Sequence, residues 1–247
     1  MNLKPYIDST YLKTAELAGL TEGENESIVK SFILEAIEEK FKAVMIRPDK
    51  VLLARTLVDQ AKSKVKVGTV ISFPNGDNSL EEKMEEANKA IEMGADELDF
   101  VANYKAFIKG DISLVKNEIL IGTRVGIQNH KIVIWIIEVA ALNDKQIIQF
   151  SNLIKNIVIS NFKEESYANV FIKSSTGFYK TENNMPNGAT KESIVLMLEN
   201  STPLSVKASG GIRTYEEAKE MVQMGVKRLG TSSAKAILNG EVNGEGY

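Results

Sequence analysis

Asn169-Val-Phe-Ile-Lys-Ser-Ser-Thr-Gly177 reads as a short buried strand that carries a lysine among apolar neighbours and ends in a turn of small residues. Burying an ammonium costs several kcal/mol unless it is paired or gives up its proton. Lys173, flanked by Phe171 and Ile172, therefore admits two readings. One is a solvated lysine on an edge strand, the commoner situation. The other is an amine with a depressed pKa, able to attack a carbonyl carbon and form a Schiff base. Further along, Leu204-Ser-Val-Lys-Ala-Ser-Gly-Gly-Ile-Arg213 repeats the pattern, with Lys207 in a short apolar strand ahead of small residues. If both amines enter one pocket, each cation raises the cost of protonating the other, and one is left nucleophilic near neutral pH.

Working outward from these two stretches, β-branched runs of strand length alternate with segments of helical period along the whole chain. That is the pattern of βα units around a parallel sheet. Strands are expected at 6–8, 43–46, 67–72, 97–102, 132–138, 169–174, 204–208 and 228–230. Eight is the number a closed (β/α)8 barrel requires, and about 250 residues is its usual size. Capping boxes at Ser79/Glu82 and Thr214/Glu217 start two helices, and Gly94 and Gly225 stop them. In the first, Leu80, Met84, Ala87 and Ile91 form the apolar stripe. No linker or low-complexity segment divides the chain. The expected fold is thus α/β, a (β/α)8 TIM barrel forming a single domain over 1–247. Within it, 178–189 reads as a long polar loop and 239–247 as a mobile glycine-rich tail.

The 247 residues carry 30 Lys and Arg against 33 Asp and Glu, a balance that argues against a nucleic-acid partner. No apolar run approaches the ~18 residues of a membrane span and no basic leader precedes one, so a cytoplasmic protein with no membrane partner is expected. Cysteine is absent, which excludes disulfides and thiol catalysis, and His130 is the only histidine, in a loop where solvation is its ordinary role. A zinc site or a Ser-His-Asp triad is disfavoured on the same count. The nucleophiles left are lysine amines and hydroxyls. Homo-oligomers are common among soluble enzymes, and no exposed patch can be read here to decide self-association.

Strand parity places the chemistry. Side chains alternate across a strand, so Lys173 shares a face with Phe171 and Ser175, while Val170 and Ile172 face the helices. By the same rule Lys207 opposes Val206 and Ala208, and Asp99 opposes Leu98 and Phe100. Lys173, Lys207 and Asp99 then all point into the barrel, where the carboxylate can pair with an amine and pass protons. The alternative for Asp99 is a solvated charge at a strand end. For Asp8, in Asp8-Ser-Thr10, an inward polar role and a turn or N-cap aspartate are equally open. Barrels of this kind often hold phosphate on the loops after strands seven and eight. Ser209-Gly-Gly211 and Gly230-Thr-Ser-Ser233 fall there, and Ser175-Thr-Gly177 adds a third small-residue loop.

Taken together, Lys173-Ser-Ser-Thr-Gly-Phe178, Lys207-Ala-Ser-Gly-Gly-Ile-Arg213 and Glu97-Leu-Asp-Phe-Val-Ala-Asn103 resemble the deoxyribose-phosphate aldolase family. The similarity extends from Ile7-Asp-Ser-Thr-Tyr-Leu-Lys13 through Phe73-Pro-Asn-Gly76 to Gly230-Thr-Ser-Ser233, nearly the full length. It implies a class I aldolase that reversibly cleaves 2-deoxy-D-ribose 5-phosphate to D-glyceraldehyde 3-phosphate and acetaldehyde, without metal or other cofactor. It also implies roles: Lys173 as the Schiff-base lysine, Lys207 as the amine that perturbs it and Asp99 as the proton-transfer carboxylate. Asp8 and Thr10 fall near the sugar hydroxyls, and Ser175, Gly177, Gly210, Gly211, Gly230, Ser232 and Ser233 in substrate and phosphate loops. The chain departs from the family at Ser9, where many members have histidine, and at Ser174, where threonine is common. Phe178 stands where members carry lysine or phenylalanine, the 178–189 loop is longer than usual, and Tyr247 ends the chain as a tyrosine does in some members. Two rivals remain: a Schiff-base aldolase or transaldolase for another phosphorylated sugar, and a barrel that binds such ligands without turnover.

Overall fold

A computed structural model describes residues 1–182 and 185–240. In chain order β1 (Ile7–Thr10) is followed by α1 (Ala15–Ala18) and α2 (Glu22–Glu39), then β2 (Ala43–Ile46) by α3 (Val51–Gln60). Next come β3 (Lys66–Ile71), α4 (Leu80–Glu92), β4 (Glu97–Val101), α5 (Tyr104–Ile108) and α6 (Ile112–Gln128). The second half runs β5 (Ile132–Ile136), α7 (Asp144–Asn161), β6 (Val170–Lys173), α8 (Lys191–Ser201), β7 (Ser205–Ser209), α9 (Tyr215–Met224), β8 (Arg228–Thr231) and α10 (Ala234–Asn239). The strands pair in sequence order, all parallel, and β8 pairs with β1 to close the barrel.

The expected eight strands are therefore all present, with ends displaced by one or two residues. β1 runs two residues past its expected end, and β5, expected to 138, stops at Ile136 because Glu138 turns into the left-handed region at φ +57. Alternation sorts the side chains as parity requires. Leu98, Phe100, Trp135, Val170, Ile172, Val206 and Ala208 join the continuous apolar layer between strands and helices. Inside the barrel lie smaller contingents such as Met45 and Glu97, which crowd Gly68 so closely that a Cβ there would fall 2.2 Å from the Met45 sulfur.

Both anticipated capping boxes are formed, at Ser79/Glu82 and Thr214/Glu217, and Gly225 ends α9 in the left-handed conformation. One helix face departs from its expected stripe. In α4 the fully enclosed positions are Lys83, Ala87 and Ala90, while Leu80, Met84 and Ile91 are only half-buried. Lys83 is tolerated there because its ammonium meets Glu118 of α6 at 2.9 Å and the main-chain oxygens of Gly76 and Val101 at 2.7 and 3.0 Å. Gly76 is itself required: its φ is +70 and a Cβ would lie 2.5 Å from the Ala102 oxygen. Of the expected tail, Asn239 closes α10 and Gly240 follows it, and 241–247, with Tyr247, lies outside the described residues.

Candidate active site

Asp99 of β4 is the meeting point of two amines. Lys173 at the end of β6 places Nζ 2.8 Å from Asp99 Oδ2, and Lys207 of β7 reaches the same oxygen at 2.9 Å. The two lysines are register partners on adjacent strands, so the sheet itself sets them side by side. All three side chains are enclosed, Lys173 the most open at 3% exposure. The structure thus brings the three inward residues expected from strand parity into direct contact.

The amines differ in how many carboxylates they face. Lys207 also lies 2.9 Å from Asp8 Oδ2, whereas Asp99 is the one carboxylate bonded to Lys173 among the described residues. Burial drags the Lys173 amine below the ordinary lysine value, Asp99 pulls it back in part, and the neighbouring Lys207 cation depresses it further. Burial acts on Lys207 in the same sense, but Asp8 and Asp99 outweigh it and hold that ammonium above the usual value. For Asp99, burial alone would favour the neutral acid, and the two lysines overturn it to hold the carboxyl below its usual range. The two amines are thus pushed in opposite directions, Lys173 down and Lys207 up. Asp99 Oδ1 is buried with no hydrogen-bond donor among the described residues, leaving a free acceptor beside the Lys173 nitrogen.

A second tier continues below. Arg228 of β8 donates from Nε and Nη2 to Asp8 Oδ1 at 2.8 and 2.6 Å, and Nη2 also meets Glu97 Oε2 at 2.7 Å. Three carboxylates and three cations therefore form one connected ladder, Glu97–Arg228–Asp8–Lys207–Asp99–Lys173. Asp8 is neither a turn residue nor an N-cap: it is fully buried in β1 and both its oxygens face cations. Glu97 and Arg228 were not singled out from sequence, although the parity that turns Asp99 inward also turns Glu97. A Cβ on Gly230 would lie 3.1 Å from the Ser209 Cβ, tighter than ordinary packing.

The remaining expected residues lie on the loops at the carboxyl ends of the strands. Thr10 ends β1, its hydroxyl donating to the Asp8 main-chain oxygen at 2.9 Å. Gly210, Gly211 and Arg213 after β7 line a small cleft together with Gly230 of β8 and Ser232 and Ser233 beyond it. Ser175 and Gly177 stay within their own loop: the Ser175 hydroxyl bonds Glu138 Oε1 and the Asn187 oxygen, both at 2.7 Å, and accepts the Gly177 N–H. Glu138, also unassigned from sequence, receives Thr176 through both its N–H and its hydroxyl. Phe178 packs edge-on against Phe73 at 4.9 Å between centroids, and the Arg47 guanidinium sits 5.0 Å over the same Phe73 ring. His130 is exposed in the turn before β5.

Eight parallel strands closed into a barrel, with two amines around one carboxylate in the lumen, define the (β/α)8-barrel class. The chain belongs to the DeoC/LacD aldolase family, whose model matches residues 18–244. It is similar to the deoxyribose-phosphate aldolase of Thermococcus gammatolerans, 39% identical over 99% of both chains. A second relative of that description, from Thermococcus kodakarensis, is 39% identical over 95% of each chain. Among solved structures it resembles the deoxyribose phosphate aldolase of Aeropyrum pernix, described as tetrameric, with a TM-score of 0.75 and 27% identity over 96% of this chain and 89% of that one. Among the described residues no helix is long and apolar enough to cross a membrane.

Proposed function

We infer that the chain, as one barrel domain over 1–247, is a class I aldolase that cleaves 2-deoxy-D-ribose 5-phosphate reversibly to D-glyceraldehyde 3-phosphate and acetaldehyde. The observation that carries this reading is the unequal pair of amines on Asp99 Oδ2, one with a second carboxylate and one without. Lys173 adds to the aldehyde carbon of the open-chain sugar, and loss of water leaves an iminium. A base removes the proton of the hydroxyl at C3, the C2–C3 bond breaks, and its electron pair moves into the iminium to give an enamine and free glyceraldehyde phosphate. Protonation of the enamine carbon and addition of water then release acetaldehyde and restore the amine. Asp99, with its unpaired Oδ1, and Lys207 stand where these protons must move. Since the iminium is the electron sink, the chemistry calls for no metal.

Phosphate fits the cleft between the β7 and β8 loops, where glycines let the backbone approach an anion and Arg213 supplies charge. Holding the phosphate there anchors the sugar so that its reacting carbon meets the amine. A cytoplasmic site of action suits a charged substrate that does not cross membranes freely, and self-association follows the tetrameric description of the Aeropyrum pernix relative. The test is a panel of deoxyribose phosphate, hexose phosphates and keto-acid phosphates assayed for aldehyde release. Release from deoxyribose phosphate ahead of the others is expected. Turnover of another member instead, or ligand-induced stabilisation with no aldehyde from any of them, contradicts the reading.

A further inference from the structure

Glu138 takes no part in the chemistry above, yet it is tightly constrained. Its backbone lies in the left-handed region at φ +57 and ψ +68, uncommon for a residue with a side chain, and only 1% of the residue is exposed. Both carboxyl oxygens are engaged by the loop that begins at Lys173. Ser175 Oγ lies 2.7 Å from Glu138 Oε1 and 2.7 Å from the main-chain oxygen of Asn187. Thr176 meets Glu138 Oε2 through its N–H at 3.2 Å and through its hydroxyl. The N–H groups of Gly177 and Phe178 point at Ser175 Oγ and Thr176 Oγ1 at 2.9 and 3.0 Å, occupying lone pairs and leaving the hydroxyl protons for other partners.

These four contacts of Glu138 and Asn187 need four hydrogens, and the loop supplies three: one on Ser175 Oγ, one on Thr176 Oγ1 and one on Thr176 N. With an ionised Glu138, the single Ser175 proton serves one of two oxygens at 2.7 Å, and the other contact sets lone pairs face to face in an enclosed place. A proton on Glu138 Oε1 removes the conflict. That O–H donates to Ser175 Oγ, Ser175 donates to the Asn187 oxygen, and Thr176 donates twice to Oε2.

We propose that Glu138 is a protonated carboxyl at neutral pH and a positioning residue, binding the β6 loop to the segment that walls the β7 loop. The proposal rests on the aldolase reading, since the loop it fixes begins at the nucleophile. Burial favours the neutral acid, against the pull of the Thr176 and Ser175 hydrogen bonds and the Lys173 charge. The titratable groups that face it are Lys173 of β6 and Tyr104 of α5, the latter pushed up to about 12, chiefly by burial, so neutral in the working range. What Glu138 holds reaches the phosphate cleft. Asn187 Nδ2 donates to the Gly177 oxygen at 3.0 Å, a Cβ on Gly188 would lie 2.4 Å from Gly210 Cα, and the Ala189 N–H meets the Ser209 and Gly210 oxygens at 3.0 Å each. Ionisation of Glu138 draws the Ser175 proton back to Oε1 and frees Asn187, which loosens the wall behind Gly210.

Glu138→Gln and Glu138→Ala test this. A glutamine mimics the protonated acid: its amide donates to Ser175 and its carbonyl accepts from Thr176. We expect E138A to raise KM for the phosphorylated sugar on the order of tenfold, with a smaller change in kcat. The wild type should show an alkaline rise in KM, and E138Q should abolish that rise and restore most of the E138A loss at neutral pH. Infrared difference spectra should show a protonated-carboxyl band in the wild type that E138Q lacks. If E138Q falls as far as E138A, or the wild type shows no such band, Glu138 is an ionised carboxylate and the proposal is overturned. Should E138A fail to fold, the infrared comparison and the E138Q pH profile decide alone. A wild type that releases no aldehyde defeats the aldolase reading instead, and the infrared band still decides the state of Glu138.

Discussion

Lys173 and Lys207 are the same side chain, side by side in register, and their environments set them apart by one carboxylate. That difference is testable by taking charges away. Lys207→Met removes the like charge that holds Lys173 down, so the Lys173 pKa rises toward the ordinary value and the pH–rate profile moves to higher pH. Activity near neutral pH falls in consequence, and a profile that stays in place would contradict the electrostatic role. Asp99→Asn keeps the shape but removes the proton acceptor, and kcat should drop by on the order of 10² to 10⁴. Arg213→Ala should raise KM for deoxyribose phosphate while leaving the rate on unphosphorylated deoxyribose nearly untouched, which steady-state kinetics with both sugars checks. These inward residues were legible because parity along a strand is a rigid rule, and three polar residues obeyed it at once. Glu97 and Arg228 were not, since a charge at the first position of a strand is ordinarily solvated, and their pairing exists only once β8 closes against β1.

At the scale of elements, the ends of strands and the faces of helices are where local sequence was least informative. The eight strands showed as apolar runs because a parallel barrel strand is covered on both faces. The end of β5 did not, because nothing local announces that Glu138 adopts a left-handed backbone held by the loop of another strand. In α4 the apolar stripe placed Leu80, Met84, Ala87 and Ile91 toward the core, yet of these only Ala87 is fully enclosed, alongside Lys83 and Ala90. Its partner Glu118 lies three elements further on, in α6, and receives the Asn103 N–H at 3.0 Å, so the pair ties α4 and α6 to the ends of β3 and β4. Lys83→Met should cost about 3–5 kcal/mol, since it leaves a buried carboxylate without its cation. Lys83→Met combined with Glu118→Gln should recover part of that. Denaturant titration measures both, and additivity of the two changes would contradict the coupling.

For the whole molecule, closure is the property that matters, because the ladder of charges spans β1, β4, β6, β7 and β8 and forms only in a complete barrel. Trp135, the only tryptophan, stacks on Phe100 and donates to Thr123 at 3.0 Å, so its fluorescence reports on the layer between strands and helices. Arg228→Met leaves Asp8 and Glu97 facing each other across the barrel floor, and should lower the stability read from Trp135 in a denaturant titration by about 3–5 kcal/mol. It should also disturb Lys207 through Asp8. A variant as stable as the wild type would show that the lower tier contributes nothing to closure. The fold class was readable from repeated pattern, whereas the connections among strands far apart in sequence required the register of the sheet.

The central claim is that the Lys173 nitrogen is the nucleophile. Purified protein incubated with acetaldehyde and borohydride, then digested and mapped by mass spectrometry, should carry the reduced adduct on Lys173, with labelling that rises with pH as the amine loses its proton. Label on Lys207 or any other lysine, or none at all, would contradict the account.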